Sequence, residues 1–149
     1  GGSIILVTSV SGQKGSFGQT AYAAAKAGIT GLVRTWSQEL AKHGVNVNAV
    51  APMALTRMVA TVPGMADVVA AAERGEPVPE ALRREGLGTP DDVAPLFVFL
   101  ASPAGASISG RSITIGGDKL AMWSEPEETD IALNAGGWTV EGIAKVLTR

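Results

Sequence analysis

Residues 1–28, GGSIILVTSVSGQKGSFGQTAYAAAKAG, contain an apolar run, a glycine-rich loop and the start of an alanine-rich segment. The run at residues 4–7 is short, uninterrupted and β-branched, which predicts a strand covered on both faces, as in a parallel sheet. Across residues 20–43 apolar side chains recur every three or four positions, which predicts a helix that is capped by its first residue, a threonine, and ended by Gly44 in a left-handed conformation. The alternating residues 45–50 predict a second strand, so the order strand, helix, strand indicates a crossover unit between parallel strands.

The second strand meets Pro52, and the segment that follows, residues 53–88, is irregular. Prolines and glycines interrupt it around two short predicted helices, near residues 66–74 and 79–85. Long connections of this kind in compact domains are usually lids or disordered segments. The string TPDD at residues 89–92 combines a capping hydroxyl, a proline in the first turn and acidic side chains, and therefore predicts the start of a further helix.

The last part of the chain is less regular. Apolar residues continue the helix that begins near residue 90 to Ala101. Residues 108–115 predict a third strand, best after Arg111, which a glycine pair ends. We expect residues 118–130 to form at best an ordered loop, and residues 138–147 to form a closing helix that begins near Thr139.

Composition and charge argue against several classes of function. The 149 residues are 46% hydrophobic and 17% charged, which is typical of a globular domain with one core, and the apolar runs are too short to span a bilayer. The net charge of −2, without a basic block, argues against nucleic acid as a partner. The chain has no cysteine and one histidine, His43, so we predict no thiolate nucleophile, disulfide or metal site, and interpret His43 as a surface cation at a helix end.

Targeting signals are missing from the front of the sequence. No secretory or transit pattern precedes the first strand, and we predict a cytoplasmic location. The first residue is Gly1 and not methionine, so we expect the chain to be part of something longer.

Ser9, Tyr22 and Lys26 form the strongest candidate for a catalytic site. Tyr22 and Lys26 are four positions apart and therefore share one helix face. A phenol is a poor base near neutral pH, and a fixed ammonium beside it stabilises the phenolate form, so that Tyr22 could exchange a proton with an alcohol or carbonyl oxygen. Ser9 lies at the carboxyl end of the first strand, where open α/β sheets bind ligands, and could hydrogen-bond the same oxygen. The spacing alone is equally consistent with an ordinary surface tyrosine and lysine.

Small residues dominate the first half of the same helix. Residues 21–27 contain five alanines, and Gly28 and Gly31 follow them. Because glycine costs about 1 kcal/mol in a helix interior, we expect these positions to allow a ligand, a sheet or another helix to approach closely.

Motifs across residues 1–117 resemble the C-terminal half of a short-chain dehydrogenase/reductase. They occur in the family's order and are GGSIILVTSVSG, GQTAYAAAKAGITGL, ELAKHGVNVNAVAP, TPDDVA, FLAS and SGRSITIGG. The resemblance implies a Rossmann-like, doubly wound parallel α/β sheet, of which this chain holds about three strands, followed by an extension at residues 118–149. It implies that Tyr22 is the acid/base, that Lys26 also binds the nicotinamide ribose, and that Ser9 orients the substrate oxygen. Hydride transfer then links a secondary alcohol or ketone to NAD or NADP, with NAD favoured.

A finer resemblance starts after the second strand. The string VAPMALTRMVATV and the extension past residue 117 are similar to the (3R)-hydroxyacyl-CoA dehydrogenase domain of multifunctional enzymes and its actinobacterial relatives, some of which act on hydroxysteroids. In the common family pattern glycine follows the proline, whereas here Met53 follows Pro52. The resemblance implies that Pro52, Met53 and Thr56 lie near the cofactor together with Tyr22 and Lys26, and that Met53 and the lid govern substrate fit.

The family's N-terminal half has no counterpart in these residues. No TGxxxGxG-like turn occurs, so we predict that the isolated chain is inactive. Two alternatives stay open: a nucleotide-sugar epimerase or dehydratase of the same fold, and a non-catalytic fragment that only assembles. The resemblance also implies a small-molecule substrate and a homo-oligomer for the full-length protein.

Overall fold

A four-stranded sheet organises residues 1–148, which are the residues that the computed structural model describes. The strands lie side by side in chain order, and their bounds are β1 Gly2–Val7, β2 Val45–Pro52, β3 Ser112–Gly116 and β4 Lys119–Met122. The first three strands are parallel, and β4 runs antiparallel to β3. The α-helices are α1 Val10–Lys14, α2 Thr20–Glu39, α3 Ala66–Glu73, α4 Glu80–Glu85, α5 Pro90–Ala101 and α6 Val140–Leu147. Short 3₁₀ helices occur at Ala41–His43, Val59–Thr61 and Pro103–Gly105.

Helices cover both faces of the sheet, as a doubly wound fold requires. On one face Val33 of α2 packs against Val47 and Ala49 of β2. On the other face the core is formed by α5, which places Leu96 and Leu100 against Val50. Because successive strand residues point to opposite faces, the consecutive buried residues 47–51 of β2 contribute to the cores on both sides of the sheet. The predicted α/β fold is confirmed.

The long predicted helix ends earlier than expected. It is regular only through Glu39, and a 3₁₀ turn at Ala41–His43 follows before Gly44, whose φ of 66° is the predicted left-handed conformation. The prediction that Thr20 caps the helix is wrong. Thr20 is the first helical residue, and Gln19 occupies the cap position without a side-chain hydrogen bond.

The extension contains an additional strand. We predicted about three strands and a loop at residues 118–130, but β4 lies within that range. Gly117, with a φ of 50°, allows the tight reversal that pairs Leu120 with Ile115 and Met122 with Ile113. Four residues are too few to show a period in the sequence, so only the pairing with β3 defines this strand.

Other predicted elements are confirmed with small shifts of their ends. The third strand starts at Ser112, directly after Arg111, in the best part of the predicted range. The closing helix α6 forms, and the Thr139 hydroxyl caps it by accepting a hydrogen bond from the Gly142 amide at 3.1 Å. Of the helices in residues 1–148, none is both long and apolar enough to cross a membrane.

Helix α1 lies closer to α2 than any side chain would allow. A Cβ atom at Gly12 would lie 2.6 Å from the Lys26 carbonyl carbon and 2.7 Å from its Cβ atom. At Gly28 and Gly31, by contrast, nothing in residues 1–148 lies within 4 Å of a Cβ position. Within residues 1–148 the close approach of another helix therefore occurs at Gly12, where α1 folds back onto α2, and Gly28 and Gly31 stay open on the surface.

Alanine substitutions at Gly12 and Gly28 should have opposite effects on stability. We expect Gly28→Ala to raise the free energy of unfolding by about 0.5–1 kcal/mol, because it removes a helix-interior glycine in open space. Gly12→Ala should lower it by about 1–3 kcal/mol, because the added methyl overlaps the α2 backbone. Urea denaturation followed by circular dichroism measures both, and equal stability of the two variants would contradict the described packing.

Candidate active site

The candidate site begins where β1 ends, at the carboxyl edge of the parallel strands. The Thr8 amide donates to the Val50 carbonyl at 2.8 Å and so extends the pairing of β1 with β2 by one residue. The Thr8 side chain is buried, and its hydroxyl donates to the Lys26 carbonyl at 2.8 Å. Ser9 follows and caps α1, since its Oγ accepts a hydrogen bond from the Ser11 amide at 3.2 Å. The end of the strand is thus fixed against α2 immediately before the candidate serine.

Tyr22 and Lys26 lie together on α2. The Lys26 Nζ is 5.7 Å from the centroid of the Tyr22 ring, within the range of a cation–π contact. The same Nζ donates to the Val7 carbonyl at 2.9 Å, two residues before Ser9. The Tyr22 side chain is 46% exposed and therefore open to a ligand. The structure thus brings the phenol and the ammonium together at the end of β1.

Sequence reasoning missed the residues that hold this arrangement. Thr8, Gly12 and Gln13 all lie between β1 and the helix that carries the tyrosine. The Gln13 Nε2 donates to the Thr30 hydroxyl at 3.1 Å, and the Thr8 and Thr30 hydroxyls are 3.5 Å apart. A threonine in an otherwise apolar strand end and a glycine three residues after Ser9 were the available signals. Neither signal identifies its partner, because the partners lie 14–22 positions away.

The three residues predicted near the cofactor have different surroundings. Pro52 ends β2 and is exposed at the same edge of the sheet. Met53 continues the strand pairing, since its amide donates to the Ile115 carbonyl at 2.8 Å, and its side chain lines a cavity beside α1. Thr56 is exposed and lines another cavity, of about 460 Å³, beside Thr89 at the start of α5. The structure thus separates Met53 and Thr56 into two cavities.

An ion-pair network ties the end of the irregular segment 53–88 to the sheet. Arg83 donates two hydrogen bonds to the Asp92 carboxylate, at 3.0 and 3.1 Å, and also contacts Asp118 at 2.8 Å. The Asp92 carboxylate additionally accepts from the Thr89 amide at 2.7 Å, which completes a capping box at the start of α5. The Arg83 guanidinium lowers the pKa of Asp92 below its ordinary value of 3.8, and the Thr89 hydrogen bonds act in the same direction. One arginine therefore joins α4, α5 and the turn between β3 and β4.

Comparisons with known proteins show the family of this chain. A family model described as enoyl-(acyl carrier protein) reductase matches residues 1–117. The chain belongs to the short-chain dehydrogenase/reductase family. It also superposes on a short-chain dehydrogenase from Mycobacterium avium with a TM-score of 0.68 and 28% identity, over 98% of this chain and 43% of that one.

Curated relatives in the short-chain dehydrogenase/reductase family match most of this chain. The human (3R)-3-hydroxyacyl-CoA dehydrogenase is 40% identical over 117 residues, which are 78% of this chain and 42% of that protein. A 3-oxoacyl-[acyl-carrier-protein] reductase from Thermotoga maritima is 42% identical over 124 residues, 78% of this chain and 44% of that protein. Estradiol 17-beta-dehydrogenase 8 from Callithrix jacchus is 40% identical over 114 residues, 74% of this chain and 78% of that protein. The chain therefore spans less than half the length of the first two relatives.

The Arg83–Asp92 pair should make stability depend on pH. Because the pKa of Asp92 is lowered in the folded state, its stabilisation is complete above 3.8 and is lost as the pH falls through the lower folded value. At pH 7 we expect Asp92→Asn to lower the free energy of unfolding by about 1 kcal/mol.

The matched control is Asp91→Asn, which removes an exposed charge from the same helical turn. Denaturant titrations at neutral and acid pH would test the network. The deficit of Asp92→Asn should shrink below pH 3.8, and a deficit independent of pH, or one equal to that of the control, would contradict it.

Proposed function

We propose that this chain is the catalytic half of an NAD(P)-dependent oxidoreductase that transfers a hydride between the cofactor and a secondary alcohol or ketone. The favoured substrate is a 3-hydroxyacyl thioester, and a hydroxysteroid is the second candidate. The observation that carries the proposal is the Tyr22–Lys26 pair, with the ammonium 5.7 Å from the ring centroid and bound to the end of β1.

In this proposal Tyr22 transfers the proton. Its ring is exposed at the site, and the Lys26 ammonium lies 5.7 Å from the ring centroid. The tyrosine then accepts the hydroxyl proton of an alcohol substrate or returns a proton to a ketone oxygen.

Ser9 orients the same substrate oxygen. A hydroxyl group has one hydrogen to donate and two lone pairs that accept. The Ser9 Oγ uses an acceptor position for the Ser11 amide, which leaves its hydrogen available for the substrate. Capping α1 and binding substrate therefore use different parts of one hydroxyl group.

The donors on this chain fit the ribose of a nicotinamide cofactor. The Lys26 ammonium has three N–H donors, of which the Val7 carbonyl takes one, so that two can bind ribose hydroxyls. When bound, NAD or NADP supplies the hydride donor or acceptor. Of the two we favour NAD. Residues 1–149 contain no glycine-rich pyrophosphate turn, so we infer that the chain needs a dinucleotide-binding half to turn over.

Two names among the relatives support the choice of substrate. The human protein is named for a hydroxyacyl-CoA and the Thermotoga maritima protein for an oxoacyl group on a carrier protein. Both names describe an acyl thioester with oxygen at its third carbon. The steroid alternative has its support in the estradiol dehydrogenase of Callithrix jacchus.

The association and location of the whole protein are also part of this proposal. We infer a cytoplasmic homo-oligomer. Exposed small residues on α2, among them Gly28 and Gly31, would allow a second helix to approach closely.

Replacing Tyr22 should abolish most of the activity. We would place the N-terminal half of the human relative before Gly1 and follow NADH formation from a 3-hydroxyacyl-CoA. Tyr22→Phe keeps the ring but removes the proton-transfer group, and we expect kcat to fall about 10²- to 10⁴-fold. Ser9→Ala should also lower kcat, whereas Ser16→Ala, a serine on the exposed loop, should not.

Two results would count against this function. A Tyr22→Phe enzyme with the parental rate would exclude Tyr22 as the acid/base. Turnover of a nucleotide sugar without net NADH formation would favour the epimerase alternative.

A further inference from the structure

A cavity of about 370 Å³ opens beside the candidate serine. Val10, the residue after Ser9, forms part of its wall, and Met53 and Trp123 contribute further apolar surface. Lys14 and Lys119 also line it, the first from the end of α1 and the second from the start of β4. Its volume lies within the range of about 300–1,000 Å³ that is typical of small-molecule sites. The cavity thus joins an apolar wall near Ser9 to two positive side chains.

The positive charges of this cavity are not neutralised within the described part of the chain. Neither the Lys14 nor the Lys119 ammonium has a hydrogen bond or ion pair with any of residues 1–148. Glu85 is the one carboxylate among the residues of 1–148 that line the cavity, so its charged side chains sum to +1. The cavity is therefore suited to an anion on a partly apolar molecule.

The turn that carries Lys119 is held firmly. Asp118 is paired with Arg83, and the Asp118 amide donates to the Arg83 carbonyl at 2.9 Å. At the other end of β4, the Trp123 Nε1 donates to the buried Thr114 hydroxyl at 2.8 Å. These contacts fix the backbone on both sides of Lys119, which lowers the entropic cost of binding an anion there.

From this geometry we propose that the cavity binds the phosphopantetheine arm of the thioester substrate, with Lys14 and Lys119 as the residues that recognise its phosphate. The inference rests on the proposed function. The arm is amphipathic, with a chain of methylene and amide groups that ends in a phosphate, and it matches an apolar wall followed by two ammonium groups. Val10, which directly follows Ser9, and Lys14, four positions further along α1, line the same cavity.

Direct binding to the whole chain tests this proposal. Calorimetric titration with 4′-phosphopantetheine and with pantetheine isolates the phosphate, and we expect the phosphorylated ligand to bind more tightly. Lys14→Gln and Lys119→Gln should each weaken phosphopantetheine binding about two- to fivefold, the effect of one partly exposed charge pair. Neither variant should change the binding of pantetheine. High salt should reduce the preference for the phosphate.

Two further variants separate a local effect from a general loss of charge. Glu85→Gln removes the negative charge of the same cavity and should tighten phosphopantetheine binding. Lys42→Gln removes an equal positive charge at the opposite edge of the sheet, two residues before Gly44, and should leave binding unchanged. Coenzyme A and a holo acyl carrier protein, titrated separately, distinguish the two sources of the arm. Tighter binding of either source than of pantetheine supports the proposal.

The outcomes of this experiment are distinct from those of the proposed function. Equal binding of phosphopantetheine and pantetheine, or lysine variants no weaker than Lys42→Gln, would overturn the phosphate site. If the chain joined to the N-terminal half of the human relative still transfers hydride from a 3-hydroxyacyl thioester of N-acetylcysteamine, which lacks the phosphate, that result would leave the proposed function standing. A clear phosphate preference without hydride transfer from any thioester would instead overturn the proposed function alone.

Discussion

The contact between the end of β1 and the second turn of α2 is the constraint on which the candidate site depends. Two hydrogen bonds form it in opposite directions: the Lys26 ammonium donates to the Val7 carbonyl, and the Thr8 hydroxyl donates to the Lys26 carbonyl. The first places a positive charge beside the Tyr22 ring, and the second fixes the helix backbone that carries it. Without this contact the tyrosine and the lysine would share a helix face but would have no defined position relative to Ser9.

Close packing of α1 on α2 completes the constraint. Ser9 caps α1, and α1 can reach α2 because Gly12 has no side chain at the point where the two backbones meet. The serine is therefore positioned twice, by the end of the strand before it and by the short helix after it. A five-residue helix has little stability by itself, so its packing against α2 keeps the serine in place.

A second set of contacts shapes the opposite side of the site. Arg83 joins the irregular segment to the start of α5 and to the β3–β4 turn, and this fixes the turn beside the cavity that Met53 and Lys119 line. The close approach of Gly116 to the Met53 carbonyl brings the end of β2 against the same turn. The irregular segment 53–88 is thus anchored at its far end, while Thr56 near its beginning stays exposed.

Local patterns in the sequence were sufficient for most elements and for the family. The continuous apolar run at residues 4–7, the helical spacing after Thr20 and the TPDD helix start each depend on neighbours within a few positions, and all three elements formed. The α/β fold and the membership of the short-chain dehydrogenase/reductase family followed from the order of such motifs. Elements that depend on distant partners could not be predicted in this way. Strand β4 exists because it pairs with β3, and Gly28 is open because no other element of residues 1–148 packs against it.

The sequence by itself determined that Tyr22 and Lys26 share one side of a helix, because a spacing of four residues fixes this within the helix period. It also placed Ser9 at the end of an apolar strand, although the residues of β1 are half-buried or exposed at the edge of the described sheet and not covered on both faces as predicted. Only the tertiary structure decided that the Lys26 ammonium binds the Val7 carbonyl, that Gly12 is the point of closest approach, and that Lys14 and Lys119 line one cavity. The physical reason is that these contacts join residues far apart in the chain, and their geometry is set by how the helices pack on the sheet and not by any local period.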